Sequence, residues 1–200
     1  MNKTRKNIKK NTKTRKNKKK LYSGSIVIDK YLNNVLGVNV YLYIIRLNQT
    51  VRCKKHLGQK NNSKTLRFRK YFDMSQLLQN YKIDTLKIEK NDENIMNKMI
   101  TLFDISTKYT YCLNNDTLVI SETMTKKNNS KIKDFFSKHG LLCDQKVCAA
   151  GEMMFYKNPN GNYKIVFDNN SGTFRPSKSD LQVLKKELPY FDIEVIEFKP

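Results

Sequence analysis

The sequence predicts an α+β protein: a mainly antiparallel sheet, two to four helices, and a C-terminal unit of β-hairpin, helix and strand. Segments rich in β-branched and aromatic residues are separated by turn residues, as is typical of strands. Fewer segments show the 3.6-residue apolar spacing of amphipathic helices. From residue 147 onward, strand, turn, strand, helix and strand patterns follow in that order.

Two regions are expected along the chain. Residues 1–20 contain eleven Lys and Arg, no acid, and only Ile8 as an apolar side chain beyond Met1. Such a segment cannot offset the entropy of ordering, so it predicts a disordered basic tail. Residues 21–200 suit a single α+β domain, with an N-terminal part at 21–104 and a C-terminal part at 105–200.

The N-terminal part predicts mostly strands. Strand patterns occur in SGSIVIDKYL, VNVYLYIIRL, a short segment around TVRC, and TLRFRKYF, whereas KIDTLKIEK is ambiguous. Asp73 is expected to cap a short helix, MSQLLQNY. Asp92 is expected to open a better helix. Its apolar face would comprise Ile95, Met96, Met99, Ile100 and Phe103.

The C-terminal part predicts two hairpins. TKYTYCL and TLVISET flank the turn residues 114–116, and VCAAGEMMFYKN pairs with YKIVFDNN through Asn160-Gly161. Between them, Ser130 would cap the helix KIKDFFSKH, which Gly140 ends. Ser179 or Asp180 would cap DLQVLKKEL, whose apolar stripe is Leu181, Leu184 and Leu188. DIEVIEF would close the chain as a strand with Ile193, Val195 and Ile196 buried.

The net charge of +21 is concentrated in two segments. Residues 51–70 add eight Lys and Arg without an acid to the eleven of residues 1–20, and the rest of the chain is close to neutral. Cations bind phosphates through counterion release, so contact with nucleic acid, another polyanion or an acidic protein surface is one expectation. A solvated, solubilising or nuclear-targeting arm is the other. The cations assigned to the contact are Lys3, Arg5, Lys6, Lys9, Lys10, Lys13, Arg15, Lys16, Lys18, Lys19, Lys20, Arg52, Lys54, Lys55, Arg67 and Arg69.

Within the second segment, Arg67-Phe68-Arg69 interleaves cations with an aromatic ring, which suits base stacking together with phosphate contact. An exposed strand with outward Arg and inward Phe explains the pattern better. The chain has no fingerprint of a known DNA- or RNA-binding fold.

Four cysteines in 200 residues do not make a disulfide framework. The basic N-terminus is not followed by the apolar run of a secretory signal. The longest apolar stretch, VLGVNVYLYII, is shorter than the ~20 residues needed to span a bilayer. An intracellular, reducing compartment and no membrane partner are therefore expected.

Metal and catalytic chemistry have little support in the sequence. Cys53-Lys-Lys-His56 and His139-x3-Cys143-x4-Cys148 contain zinc-type ligands, but neither spacing is a standard knuckle and the pairs are far apart. Motifs for phosphate-binding loops, nucleophile elbows and metalloproteases are absent. No metal, cofactor or catalytic residue is assigned, and the expectation leans away from an enzyme.

Residues 105–198 resemble a family of giant DNA viruses, fungi, algae and other microbes, marked by SETG, SKHALLA, YAGEF and DNNSGTYAP. The matching residues here are Ile120–Thr123, Phe136–Leu142, Val147–Glu152 and Val166–Pro176. Phe174 replaces the usual Tyr, and Gly140 the usual Ala. No activity is established for the family, so the resemblance implies a fold and a polar cluster rather than a reaction. If the protein is viral, the virion or the host cytoplasm or nucleus are the expected locations.

The polar cluster is either a ligand pocket or a structural turn. A two-residue hairpin turn pairs positions that sum to about 321, which places Glu152 opposite Asn169. In the structural interpretation Gly172 has positive φ and Arg175 pairs with Glu152. The candidate pocket comprises His139, Glu152, Asp168, Asn169, Asn170, Ser171, Thr173 and Arg175.

Two functions follow. The leading hypothesis is a non-enzymatic, basic, intracellular viral protein that binds nucleic acid or another polyanion through its N-terminal arm, with a role as a virion component as one form of this hypothesis. The alternative is an enzyme or small-ligand domain in which His139 is a general acid or base and Arg175 anchors an anion.

Overall fold

The computed structural model describes residues 25–35, 38–47, 50–58, 81–89, 92, 94–105, 107–123, 139, 142–143 and 146–199. Four predicted segments lie outside these residues: the basic tail, TLRFRKYF with Arg67 and Arg69, MSQLLQNY except Tyr81, and KIKDFFSKH except His139. The single domain at 21–200 therefore stays a prediction.

The described residues form one eight-stranded sheet and two helices, which confirms the α+β class. The sheet order is β3-β1-β2-β5-β4-β6-β7-β8, and every neighbouring pair is antiparallel except β7 and β8. The elements are β1 (Ile26–Val35), β2 (Val38–Arg46), β3 (Tyr81–Ile88), α1 (Ile95–Leu102), β4 (Tyr109–Leu113), β5 (Thr117–Glu122), β6 (Ala149–Lys157), β7 (Tyr163–Phe167), α2 (Gln182–Glu187) and β8 (Ile193–Val195).

The core lies around the central strands. All five residues of β4 are buried, which explains why its sequence does not alternate between apolar and polar residues. Phe103, at the end of α1, has its ring centroid 4.2 Å from that of Tyr43 and 5.3 Å from that of Phe155. Met99 and Phe103 are buried, and Ile95, Met96 and Ile100 pack against the core, as the periodicity predicts.

The C-terminal unit is confirmed as hairpin β6–β7, helix α2 and strand β8. Leu181, Leu184 and Leu188 are buried as predicted, with Ile193 and Val195. Ile196 is not: it is 38% exposed because β8 ends at Val195.

The predicted helix starts at Asp92 and at Ser179 or Asp180 are wrong, and Asp73 lies outside the described residues. The N-cap residues are Asn94 for α1 and Leu181 for α2, and neither makes a side-chain cap. Asp92 instead accepts a hydrogen bond from the Glu89 N–H at 2.8 Å, and Asp180 accepts one from the Ser177 N–H at 2.8 Å. These carboxylates bind loop backbone, which competes with helix capping.

The structure also decides two predictions for the N-terminal part of the domain. The ambiguous segment KIDTLKIEK contributes its first seven residues to a strand, β3, at one edge of the sheet. TVRC is not a strand: residues 50–56 are irregular, and Leu57 makes an isolated antiparallel bridge with Val147.

Cys53 and Cys148 form a disulfide across 95 positions of the sequence. This bond does not fit the predicted reducing compartment, where thiol buffers keep cysteines reduced. Cys112 and Cys143 are buried and do not take part in this disulfide.

Candidate functional site

The polar cluster is built around a close contact between β6 and the end of β7. A Cβ on Gly151 would lie 1.9 Å from the Asp168 carbonyl oxygen, so only glycine fits there. The same carbonyl accepts a hydrogen bond from the Tyr111 hydroxyl at 2.8 Å. The Asp168 carboxylate accepts the backbone N–H groups of Glu152 at 2.7 Å and Asn170 at 2.9 Å.

The hairpin register differs by one position from the prediction. The ladder pairs Met153 with Phe167 and Lys157 with Tyr163, so facing positions sum to 320. The Asn158 N–H donates to the Asn162 carbonyl at 2.8 Å, and Gly161 has φ +86°. The loop thus has three residues ending in a left-handed glycine, not two, and Asp168 is the residue whose N–H donates to the Glu152 carbonyl, at 2.9 Å.

Glu152 and Lys108 form the charged pair of the cluster. Glu152 is 5% exposed, and its carboxylate lies 2.9 Å from Lys108 Nζ. The hydrogen bond to Glu152 raises the pKa of Lys108, although burial opposes it. Burial raises the pKa of Asp168, and the nearby Glu152 charge adds to this, while the N–H groups of Asn170 and Glu152 oppose it. The expected pair between Glu152 and Arg175 is wrong.

The loop after β7 uses its polar side chains to bind backbone. Asn169 Nδ2 donates to the Pro176 carbonyl at 3.1 Å, and Asn169 Oδ1 accepts from the Phe198 N–H at 2.7 Å. Ser171 Oγ accepts from the Phe174 N–H at 3.3 Å. Ser171 and Thr173 are buried, and these bonds fix the loop against the chain end.

The left-handed residue of this loop is Arg175, with φ 51°, rather than the predicted Gly172. The Arg175 N–H donates to the Ser171 carbonyl at 2.8 Å, closing one helical turn, and the exposed Arg175 side chain donates to the Gly172 carbonyl at 3.3 Å. Phe174 is 1% exposed and packs with Cys112 and Cys143. The apolar surroundings of this ring suit the Phe that stands where the resembled family has Tyr.

His139 is also buried, at 2% exposure. Its Nε2 lies 2.9 Å from the Gly151 carbonyl oxygen, so Nε2 carries the donated proton. The Cys112 thiol donates to the His139 carbonyl at 3.6 Å, and burial raises the pKa of this thiol. His139 therefore contacts both β4 and β6.

The cluster residues lie close together, and most of the hydrogen bonds of their side chains are to backbone groups of neighbouring segments. His139, Glu152, Ser171 and Thr173 are buried, Asp168, Asn169 and Asn170 are half-buried, and Arg175 is exposed. A cavity of about 470 Å³ lies elsewhere, between the start of α1 and the β6–β7 turn, with Asn94, Tyr163 and Tyr190 in its lining. The cluster has the geometry of a stabilised turn.

Residues 50–58, here called the basic loop, are attached to the folded body at four points. The Val51 N–H donates to the Asn115 carbonyl, and His56 Nε2 lies 3.3 Å from Asn115 Oδ1. The Leu57 N–H donates to the Val147 carbonyl at 2.7 Å, and the disulfide of Cys53 adds a covalent link.

The basic loop has two buried side chains with mostly exposed ones between them. Val51 and Leu57 are buried at 3% and 6% exposure, Cys53 is half-buried, and the other side chains between Val51 and Leu57 are exposed. The exposed cations are Arg52, Lys54 and Lys55, with exposed Lys146 beside the Val147 bridge. The loop therefore presents three of the predicted contact cations in a fixed arrangement.

The sequence contains Cys53, His56 and Cys148 in two separate motifs of zinc-type ligands and predicts no metal site. In the structure, one ligand atom from each of these three residues lies within 4.8 Å of the other two. Spacing along the chain did not indicate that the two motifs meet, because they are far apart in sequence.

Comparison with protein-family models, curated proteins and solved structures found no match for this chain. No helix in the described part of the chain combines the length and apolarity needed to cross a membrane.

Proposed function

We propose that this protein is a non-enzymatic polyanion-binding protein, with nucleic acid as the preferred partner class. The N-terminal arm supplies most of the charge, and the basic loop supplies a second, ordered contact. The resemblance of residues 105–198 described above supports a giant-virus origin, with the virion or the infected cell as the place of action.

The single observation that carries the proposal is the exposure of Arg52, Lys54 and Lys55 on a loop anchored at four points. An anchored loop loses less conformational entropy on binding than a free arm. Because the basic loop and residues 1–20 belong to one chain, the second contact is intramolecular, which raises the overall affinity.

The enzyme or small-ligand alternative has no comparable support. Asp168, Asn169 and Ser171 are committed to backbone hydrogen bonds, and His139 bonds the Gly151 carbonyl. Lys108 and Arg175 are exposed cations of that cluster, and Lys108 is paired with Glu152.

The test is a salt titration of binding to labelled double-stranded DNA, single-stranded RNA and heparin, measured by fluorescence anisotropy. The slope of log K against log salt is negative, and each phosphate contact contributes about 0.9 to its magnitude on duplex DNA. Changing Arg52, Lys54 and Lys55 to Gln is therefore expected to reduce the magnitude of this slope by about 3. Deleting residues 1–20 is expected to reduce the magnitude of the slope further.

The matched control replaces three other exposed lysines, Lys157, Lys178 and Lys185, with Gln. It removes the same charge from elsewhere on the body, so the slope should stay close to that of the unmodified protein. Salt-independent binding, no binding by the full chain, or an equal loss in the control would overturn the proposal.

A further inference from the structure

The Cys53–Cys148 disulfide lies beside a third residue of metal-binding type. Ligand atoms of Cys53, His56 and Cys148 all lie within 4.8 Å of one another. Cys53 and His56 are three residues apart in the basic loop, whereas Cys148 precedes β6. Two separate segments of the fold thus deliver two sulfur atoms and one imidazole to one place.

The donor set and its dimensions fit zinc. Tetrahedral Zn²⁺ has Zn–S bonds of about 2.3 Å and Zn–N bonds of about 2.0 Å, which places ligand atoms roughly 3.5–3.8 Å apart. This spacing lies within the 4.8 Å envelope. Thiolates with imidazole select Zn²⁺ over Mg²⁺ or Ca²⁺, which prefer oxygen.

We propose that the reduced form of this cluster is a zinc site with Cys53, His56 and Cys148 as ligands. The fourth position is left for water or for Asn115 Oδ1, which lies 3.3 Å from His56 Nε2. The site holds the basic loop on the body when the disulfide is open, and oxidation to the disulfide excludes the metal. The inference is independent of polyanion binding.

The chemistry balances with a named reductant. A phosphine transfers two electrons to the disulfide, the S–S bond breaks, and the phosphine takes the oxygen of one water as its oxide. The two protons of that water complete the Cys53 and Cys148 thiols. Each thiol then loses its proton to solvent as its sulfur binds Zn²⁺.

The experiment uses the full chain, stripped of metal, reduced with a phosphine and kept without oxygen. Zn²⁺ is titrated against a chromophoric chelator, and Co²⁺ replaces it for spectroscopy. One equivalent is expected to bind, and Co²⁺ should give a thiolate charge-transfer band. The oxidised protein should not bind.

Three variants test the ligand assignment. Cys53→Ser and Cys148→Ser are expected to abolish the charge-transfer signature of the intact site, and His56→Gln to weaken Zn²⁺ binding at least tenfold. His56 is exposed, so this variant does not depend on the fold tolerating a core change. Cys112→Ala removes a thiol of the second core cluster and should bind normally.

Absence of Zn²⁺ binding by the reduced chain would overturn the site. So would unchanged affinity in His56→Gln, or equal binding by the oxidised and reduced proteins.

Discussion

At the scale of single residues, the Gly151–Asp168 contact explains the AGE and DNNSG segments together. The missing Cβ of Gly151 lets the Asp168 carbonyl approach, and the Asp168 carboxylate then binds two N–H groups. Tyr111 secures the carbonyl from β4. The structure of the cluster thus depends on the close contact between the backbones of Gly151 and Asp168 as well as on its polar side chains.

Gly151→Ala is therefore expected to destabilise the protein by about 3 kcal/mol or more, because the new Cβ meets a backbone carbonyl that is itself held in place. Urea unfolding measures this. Gly172→Ala is the control, since a Cβ there meets nothing within 4 Å, and it should change stability by less than about 1 kcal/mol. Equal stability of the two variants would contradict the structure.

Asp168 should give the protein a distinct pH dependence. Its folded-state pKa is raised above the ordinary 3.8, so the folded state holds the proton more tightly than the unfolded state. This contribution is fully present below pH 3.8 and is lost as the pH rises through the raised pKa.

Asp168→Asn keeps the Oδ1 acceptor without titrating. The stability of the unmodified protein relative to this variant is expected to fall with rising pH across that window and then level off, as followed by unfolding at fixed pH steps. Asp180→Asn, at a loop carboxylate outside the cluster, serves as the comparison. A relative stability that rises with pH would show that the sign is wrong.

At the scale of elements, Asp29 connects three strands. It is 4% exposed on β1, pairs with Lys82 of β3 at 2.6 Å and with Arg46 of β2 at 3.6 Å, and accepts the Thr85 hydroxyl at 3.0 Å. Burial alone favours the neutral acid, but the Lys82 and Thr85 hydrogen bonds and the two cations together lower the pKa of Asp29. The edge strand β3 is thereby attached to the sheet.

Asp29→Ala is expected to cost about 1–2 kcal/mol, less than a fully buried charged hydrogen-bond network because Lys82 and Arg46 are largely exposed. Amide hydrogen exchange in β3 should accelerate more than in β4. The matched control is Asp84→Ala, which removes an exposed carboxylate from β3 itself. Acceleration in Asp84→Ala equal to that in Asp29→Ala would argue against the role of Asp29.

At the scale of the whole molecule, the disulfide connects the basic loop to the start of β6 across 95 positions. Closing so long a loop restricts the unfolded chain strongly. The link also joins a segment outside the regular sheet to its central strands, since β6 pairs with β4.

Reduction is therefore expected to lower the free energy of unfolding by about 2–4 kcal/mol when a chelator is present. Unfolding in urea with and without a phosphine measures the difference. The double variant Cys53→Ala, Cys148→Ala should show no response to the phosphine. If the unmodified protein were equally stable in both states, the cross-link would contribute nothing.

Local patterns predicted much of the fold. The strands β1, β2 and β4 to β8, the apolar face of α1 and the proximity of Glu152 to the DNNSG segment all follow from residue type and spacing. The Asp92 and Asp180 caps failed because each carboxylate binds a nearby loop N–H instead. The hairpin register failed because the turn has three residues, which shifts every pair by one position.

The sequence by itself determined the α+β class and the order of the C-terminal elements, because these depend on local residue patterns along the chain. Only the tertiary structure decided that Gly151 faces Asp168, that Glu152 pairs with Lys108, and that Cys53 meets Cys148. Those contacts join distant parts of the chain, and each depends on how the strands align in space. The spacing of residues along the sequence does not predict how distant strands align.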